Sequence, residues 1–171
     1  IPKMKTHSTA GVTCALKNAV GVAPLGSYSS SESLGYRDLF HNQYGIHKTI
    51  AQINLIRPPD LTVVDAILCG EGAGPWGAAP VQTNLILASR DPVAADAVAA
   101  SAMGFTPWKV RHIVYAASAG LGEADLGRIE MVGASLDDVR RAFDPPVTRT
   151  ATLFRGAAIL PASPGGLTLD G

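Results

Sequence analysis

Lys3, Lys5 and His7 alternate along the first seven residues, and Lys17 and Asn18 follow shortly after Thr13. Over the full 171 residues, 14 Lys and Arg balance 14 Asp and Glu, so this positive charge is local to one stretch. Lysine, histidine, threonine and asparagine donors brought together can hold an anion, or stabilise negative charge that develops on a substrate. Lys3, Lys5, Thr13 and Asn18 are then the candidates for binding, with Lys17 and His7 as the groups that polarise the anion or handle a proton. The same residues also suit a solvated loop leading into a helix.

A second candidate is Gly70-Glu71-Gly72-Ala73-Gly74-Pro75-Trp76-Gly77, with four glycines in eight residues. It follows an apolar segment that reads as a strand, and ligands of open α/β sheets bind at the carboxyl ends of strands. Gly70, Gly72 and Gly74 would let backbone N–H groups approach a ligand, and Glu71 would serve as a base. The loop matches neither a dinucleotide fingerprint nor a phosphate P-loop, and a wide strand-to-strand connection explains it equally. Asp65, in the apolar strand before it, needs a partner when buried. With His41 it forms the candidate metal pair, although a backbone bond pinning the loop accounts for Asp65 too. Asp96, among Ala94, Ala95, Ala97 and Val98, calls for a structural salt bridge. His47 falls on an aromatic stripe and reads as core; His112, beside Arg111, reads as surface.

These groups must be positioned by the elements around them. Residues 1–7 read as extended, and 10–22 as a helix capped by Thr9, which puts Thr13 and Lys17 on one face. Residues 27–35 read as a serine-rich loop, and 37–56 as a second helix ended by Pro58-Pro59. Residues 61–68 and 84–89 read as strands. Asp91-Pro92 opens a helix to Met103, with Asp as N-cap and Pro at N1. A helix over 107–119, a strand over 128–132 and a Ser135-capped helix to Phe143 complete the order. Strands alternating with helices indicate an α/β domain over 1–144, its mainly parallel sheet flanked by helices, with a Pro/Gly-rich tail or edge strand over 145–171.

Hydrophobic residues make up 47% and charged residues 16%, which favours a buried core over disorder. The charge balance gives no electrostatic case for nucleic acid, and no apolar run approaches the roughly 20 residues of a membrane span. Cys14 and Cys69 form neither a disulfide framework nor a metal cage. The chain opens at Ile1 without a leader pattern, so the expectation is a cytoplasmic fragment, the C-terminal portion of a larger domain.

Taken in order, Pro2-Lys3-Met4-Lys5-Thr6-His7, Thr13-Cys14-Ala15-Leu16-Lys17-Asn18, Val64-Asp65-Ala66-Ile67, Gly70-Glu71-Gly72-Ala73-Gly74-Pro75 and Asp91-Pro92-Val93-Ala94-Ala95-Asp96 resemble the prokaryotic domain of unknown function family 362, over about residues 1–125. The resemblance implies a neighbouring ferredoxin-type domain or protein with cysteine-ligated iron–sulfur clusters, hence a redox context. It also implies an N-terminal portion before the first block, and a histidine near His41. The cluster would belong elsewhere, since this chain has no iron–sulfur ligand set. Three readings follow in order: an enzyme acting on a small anionic substrate in a redox pathway, a non-catalytic ligand-binding or assembly module, and a metal-dependent hydrolase. Cofactor and oligomeric state stay open.

Overall fold

The structure is a computed structural model that describes residues 1–30 and 37–147. Strand β1 (Lys3–His7) turns back into β2 (Gly11–Thr13), antiparallel, with His7 opposite Gly11 and Lys5 opposite Thr13. β1 also runs parallel to β3 (Thr62–Ala73), and β3 pairs antiparallel with β4 (Gly77–Ser89). The order is β2-β1-β3-β4, so the sheet is mixed and not mainly parallel as expected. The reason lies in residues 70–77. Parallel strands need a long crossover, whereas an antiparallel pair needs only a tight turn. The glycine stretch prolongs both strands into a hairpin, leaving only residues 74–76 as the connection.

The helices are α1 (Ala15–Asn18), α2 (Leu25–Tyr28), α3 (Leu39–Asn42), α4 (Ile46–Ile56), α5 (Pro92–Ala102), α6 (Arg111–Ser118) and α7 (Leu136–Val139). Tight 3-10 turns cover Ala19–Val22 and Pro107–Lys109. The expected helix over 10–22 is therefore half strand. Gly11 takes φ 80°, a left-handed value that suits glycine, and the β-branched Val12 and Thr13 then extend along β1. Thr9 caps nothing, and Thr13 and Lys17 do not share a helix face. The expected helix over 37–56 breaks at Gly45, with φ 79°, into α3 and α4. Asp91 caps α5 as expected, accepting from Val93 and Ala94 N–H. Ser135 caps α7, which stops at Val139. Residues 128–132 form no strand. The 145–171 tail lies outside the described residues from 148 onward, as do residues 31–35 of the serine-rich loop.

The core joins one face of the sheet to the helices through Met4, Val12, Leu16, Val64 and Ala66 from the first half. Ile50, Val93, Ala97, Met103 and Ile113 complete it. α5 is almost wholly buried, and its run of alanines lets the neighbouring backbone approach closely. One such approach explains Asp96, which is fully buried. Its Oδ1 accepts from Ala15 N–H at 2.6 Å and Leu16 N–H at 3.3 Å, so it caps α1 from across the core. His112 is fully buried against it and not at the surface, because α6 turns that ring inward. His112 Nε2 lies 3.4 Å from Asp96 Oδ2, and the His112 ring stacks on His47 with centroids 5.8 Å apart.

Candidate functional site

Alternation along β1 sends Met4 and Thr6 into the core and puts Lys3, Lys5 and His7 on the opposite side. His7 closes the strand at the β1–β2 turn and is 7% exposed. Its Nδ1 lies 3.2 Å from each of three donors, namely Thr9 N–H, the Thr9 hydroxyl and Ala10 N–H. A ring nitrogen that accepts backbone N–H bonds carries no proton, so the neutral ring keeps its hydrogen on Nε2. Burial first, then the charges of Lys17, His41 and Lys5, bring its pKa down to about 3. At neutral pH His7 is thus a neutral ring with its N–H at Nε2.

His41 stacks on His7 with centroids 6.0 Å apart and planes 13° from parallel. Burial lowers its pKa and the nearby Lys17 adds to this, while a bond to the Arg37 carbonyl opposes it. Arg37 is fixed by two bonds of its own, Nε to Ala23 O at 2.7 Å and a terminal nitrogen to Gly21 O at 2.8 Å. These carbonyls end the 3-10 turn that follows Lys17. Lys17 itself falls to about 8, through burial first and then the charges of Lys5 and Arg37. Every charge acting on Lys17 is positive. At neutral pH its amine is still mostly protonated, with a neutral minority of about one in ten.

The structure therefore brings together Lys5, His7, Lys17 and His41, joined by Arg37, which nothing in the sequence singled out. The remaining candidates sit elsewhere. Lys3 Nζ pairs with Asp65 Oδ2 at 2.7 Å across β1 and β3, and Asp65 Oδ1 accepts from Ile67 N–H. Those bonds hold the Asp65 carboxyl below its usual range. The expected backbone bond and partner are both present, and Asp65 does not meet His41. Among the described residues no group of three His, Cys, Asp or Glu is placed to hold a metal ion.

Glu71 accepts from Asp144 N–H at 2.8 Å and takes no part in the electrostatics of His7 or Lys17. The glycines are engaged in close packing and in hydrogen bonds within the fold. Gly72 N–H donates to Asp144 O and Gly74 N–H to Gly72 O, while the Thr6 hydroxyl and Ser8 N–H reach Gly72 O and Gly74 O. A Cβ at Gly74 would overlap the Thr6 carbonyl, and one at Gly70 would come within 2.9 Å of the Ala78 methyl. Thr13 faces Lys5 across β1 and β2 with its hydroxyl buried and unpartnered among the described residues. Asn18 is exposed on the wall of a separate apolar cleft of about 720 Å³, with Tyr28, Phe40 and Ile53. Cys14 is fully buried, and burial, then Asp96, pushes its thiol well up, which keeps it protonated.

The two low histidines set an acid limit on the fold. His47 falls to about 4, mainly by burial, and His7 to about 3, both below their ordinary 6.5. As pH drops through 6.5 the unfolded chain takes up protons that the folded chain refuses. Stability is therefore complete above about pH 6.5 and declines down to about pH 4 and 3, by up to about 1.4 kcal/mol per pH unit for each ring. Urea midpoints at about pH 7 and pH 5 should differ accordingly, and His7→Gln should shrink the difference. An unchanged wild-type midpoint would mean that both rings accept protons in the folded state.

No helix among the described residues is long and apolar enough to cross a membrane. A thylakoid-associated protein of Synechocystis sp. (strain ATCC 27184 / PCC 6803 / Kazusa) is similar, 28% identical over 107 residues, which is 63% of this chain and 32% of that protein. The chain thus spans about a third of that relative's length. No solved structure matches the chain. The family model for a domain of unknown function, DUF362, matches residues 1–101, which include the cationic cluster and the trans-capping Asp96. With more than half of its length matched in this way, the chain belongs to the DUF362 family.

Proposed function

We propose that the cluster of Lys5, His7, Lys17, Arg37 and His41 is the anion site of an enzyme acting on a small anionic substrate. One observation carries this reading: the charges acting on Lys17 are all cationic, at a side chain that burial already disfavours as an ion. A bound anion would relieve that repulsion. Lys5 and Arg37 would hold the anion, while Lys17 and the Nε2–H of His7 would face the group on which negative charge grows. In the redox context implied by the family resemblance, electrons would come from a ferredoxin-type domain or protein.

Titrating phosphate or malonate while following thermal unfolding tests the site. At about 100 times Kd a ligand bound only by the folded state adds about 2.7 kcal/mol. The wild type should gain stability of that order, and Lys17→Met should gain almost none. Equal stabilisation of the two proteins, or of neither, would remove the anion site.

A further inference from the structure

We propose that the apolar cleft walled by α4, the 3-10 turn after α1 and the start of β3 is a further binding site, which takes a neutral, largely aromatic molecule carrying one hydrogen-bond donor. It is separate from the cationic cluster, since none of Lys5, His7, Lys17, Arg37 and His41 lines it. Its volume of about 720 Å³ is that of a small-molecule site, which typically measures about 300–1,000 Å³. On one side the Tyr28 and Phe40 rings, with centroids 4.5 Å apart, offer a face for an aromatic ligand. Val22, Ile56 and Leu61 also line the cleft and stand largely exposed. A seated ligand would take that apolar surface out of water.

Polar groups narrow the ligand further. Arg57 is the only charged residue among those lining the cleft, and its guanidinium is turned to Asp60 at 2.6 Å. No charge is left to pair with an ionic ligand, so a neutral one fits. The Thr49 hydroxyl is committed to the Gly45 carbonyl at 3.1 Å. Asn54, fully buried, is different. Its Nδ2 donates to Leu16 O at 2.9 Å and to Ile50 O at 2.8 Å, so both amide hydrogens are used. Those two carbonyls also fix which way round the amide sits. Its Oδ1 is left without a partner among the described residues, and buried acceptors seldom stay so. The missing group is therefore a donor. Because Oδ1 is closed to bulk water, a donor carried to that wall by a seated ligand meets little competition.

The test is equilibrium dialysis of the full chain against 2-naphthol, with 2-methoxynaphthalene as the same ring system lacking a donor. One naphthol should bind per chain, and the methyl ether at least about tenfold more weakly, as a lost buried hydrogen bond requires. Ala19→Phe adds a ring at a partly exposed wall position and should abolish binding. Ile56→Lys, at an exposed position that tolerates the change, should weaken it at least about tenfold by charging the apolar wall. Equal affinity for naphthol and its ether would overturn the donor and with it the part given to Asn54. No saturable binding of either probe, or binding unchanged in both variants, would overturn the site. Sedimentation of the same proteins covers the other occupant. A dimer of the wild type that Ile56→Lys disperses would mean that a second copy covers the cleft, and the small-molecule reading would fall.

Discussion

Asp96→Ala should lower the unfolding free energy by about 3–5 kcal/mol, a large loss for a single change. The magnitude comes from what the carboxylate leaves behind. Its Oδ1 accepts from Ala15 and Leu16 N–H, two of the four donors that begin α1 and that α1 cannot bond itself. Both bonds are buried, so water cannot replace the lost acceptor, and each stranded N–H costs about 1–3 kcal/mol. The fully buried His112 ring also loses the only acid within 4 Å of it among the described residues. Asp96→Asn retains an acceptor oxygen and should lose less than half as much. Urea denaturation of the three proteins checks this, and an Ala variant within about 1 kcal/mol of wild type would show that α1 needs no cap. Because Lys17 sits on the same short helix, the Asn variant should also weaken anion binding while remaining folded.

Asp96 also shows what a single sequence reveals. A charge among alanines must be paired, and that was readable; the partner was not, because it is a backbone terminus some 80 residues away. α5 could be read almost to the residue, since Asp91-Pro92 gives a local cap and a fixed φ. The helix over 10–22 failed for a complementary reason. Val12, Leu16 and Val20 have helical spacing, but Gly11 at φ 80° turns the chain into β2 before the helix can begin. A mainly parallel sheet was expected because strands alternating with helices suggest crossovers, but short apolar runs carry no direction of their own; the direction is set by the connection, and β3 and β4 are joined by a tight turn. At the site, Lys5, His7 and Lys17 were legible from residue type. Arg37 was not, since its place depends on carbonyls of Gly21 and Ala23 that no pattern ties to it. For the glycines, close packing against Thr6 and approach to a ligand demand the same residue, so residue type alone does not separate the two.

Lys17→Met should stabilise the protein near neutral pH while abolishing its response to anions. The unfolded chain holds the amine proton up to the ordinary 10.5, and the folded chain gives it up at about 8. The sign follows from which state binds the proton more tightly. Between about pH 8 and 10.5 the unfolded state carries more protons, so stability rises with pH across that window. Below about pH 8 both states are protonated, and the folded protein bears the whole cost of a charged amine beside Lys5 and Arg37. A shift of this size corresponds to about 3 kcal/mol at most, and partial exposure of Lys17 reduces it to on the order of 1–2 kcal/mol. Methionine keeps most of the stem's volume and removes the charge, so that cost should return as stability at about pH 7 and fade near pH 10. Urea midpoints of the two proteins across that range measure it. A variant less stable than wild type at pH 7 would mean that Lys17 is held by a favourable partner, and the repulsive cluster on which the anion site depends would not exist. A more stable variant that no longer responds to phosphate would mark Lys17 as a residue kept for its ligand at the expense of the fold.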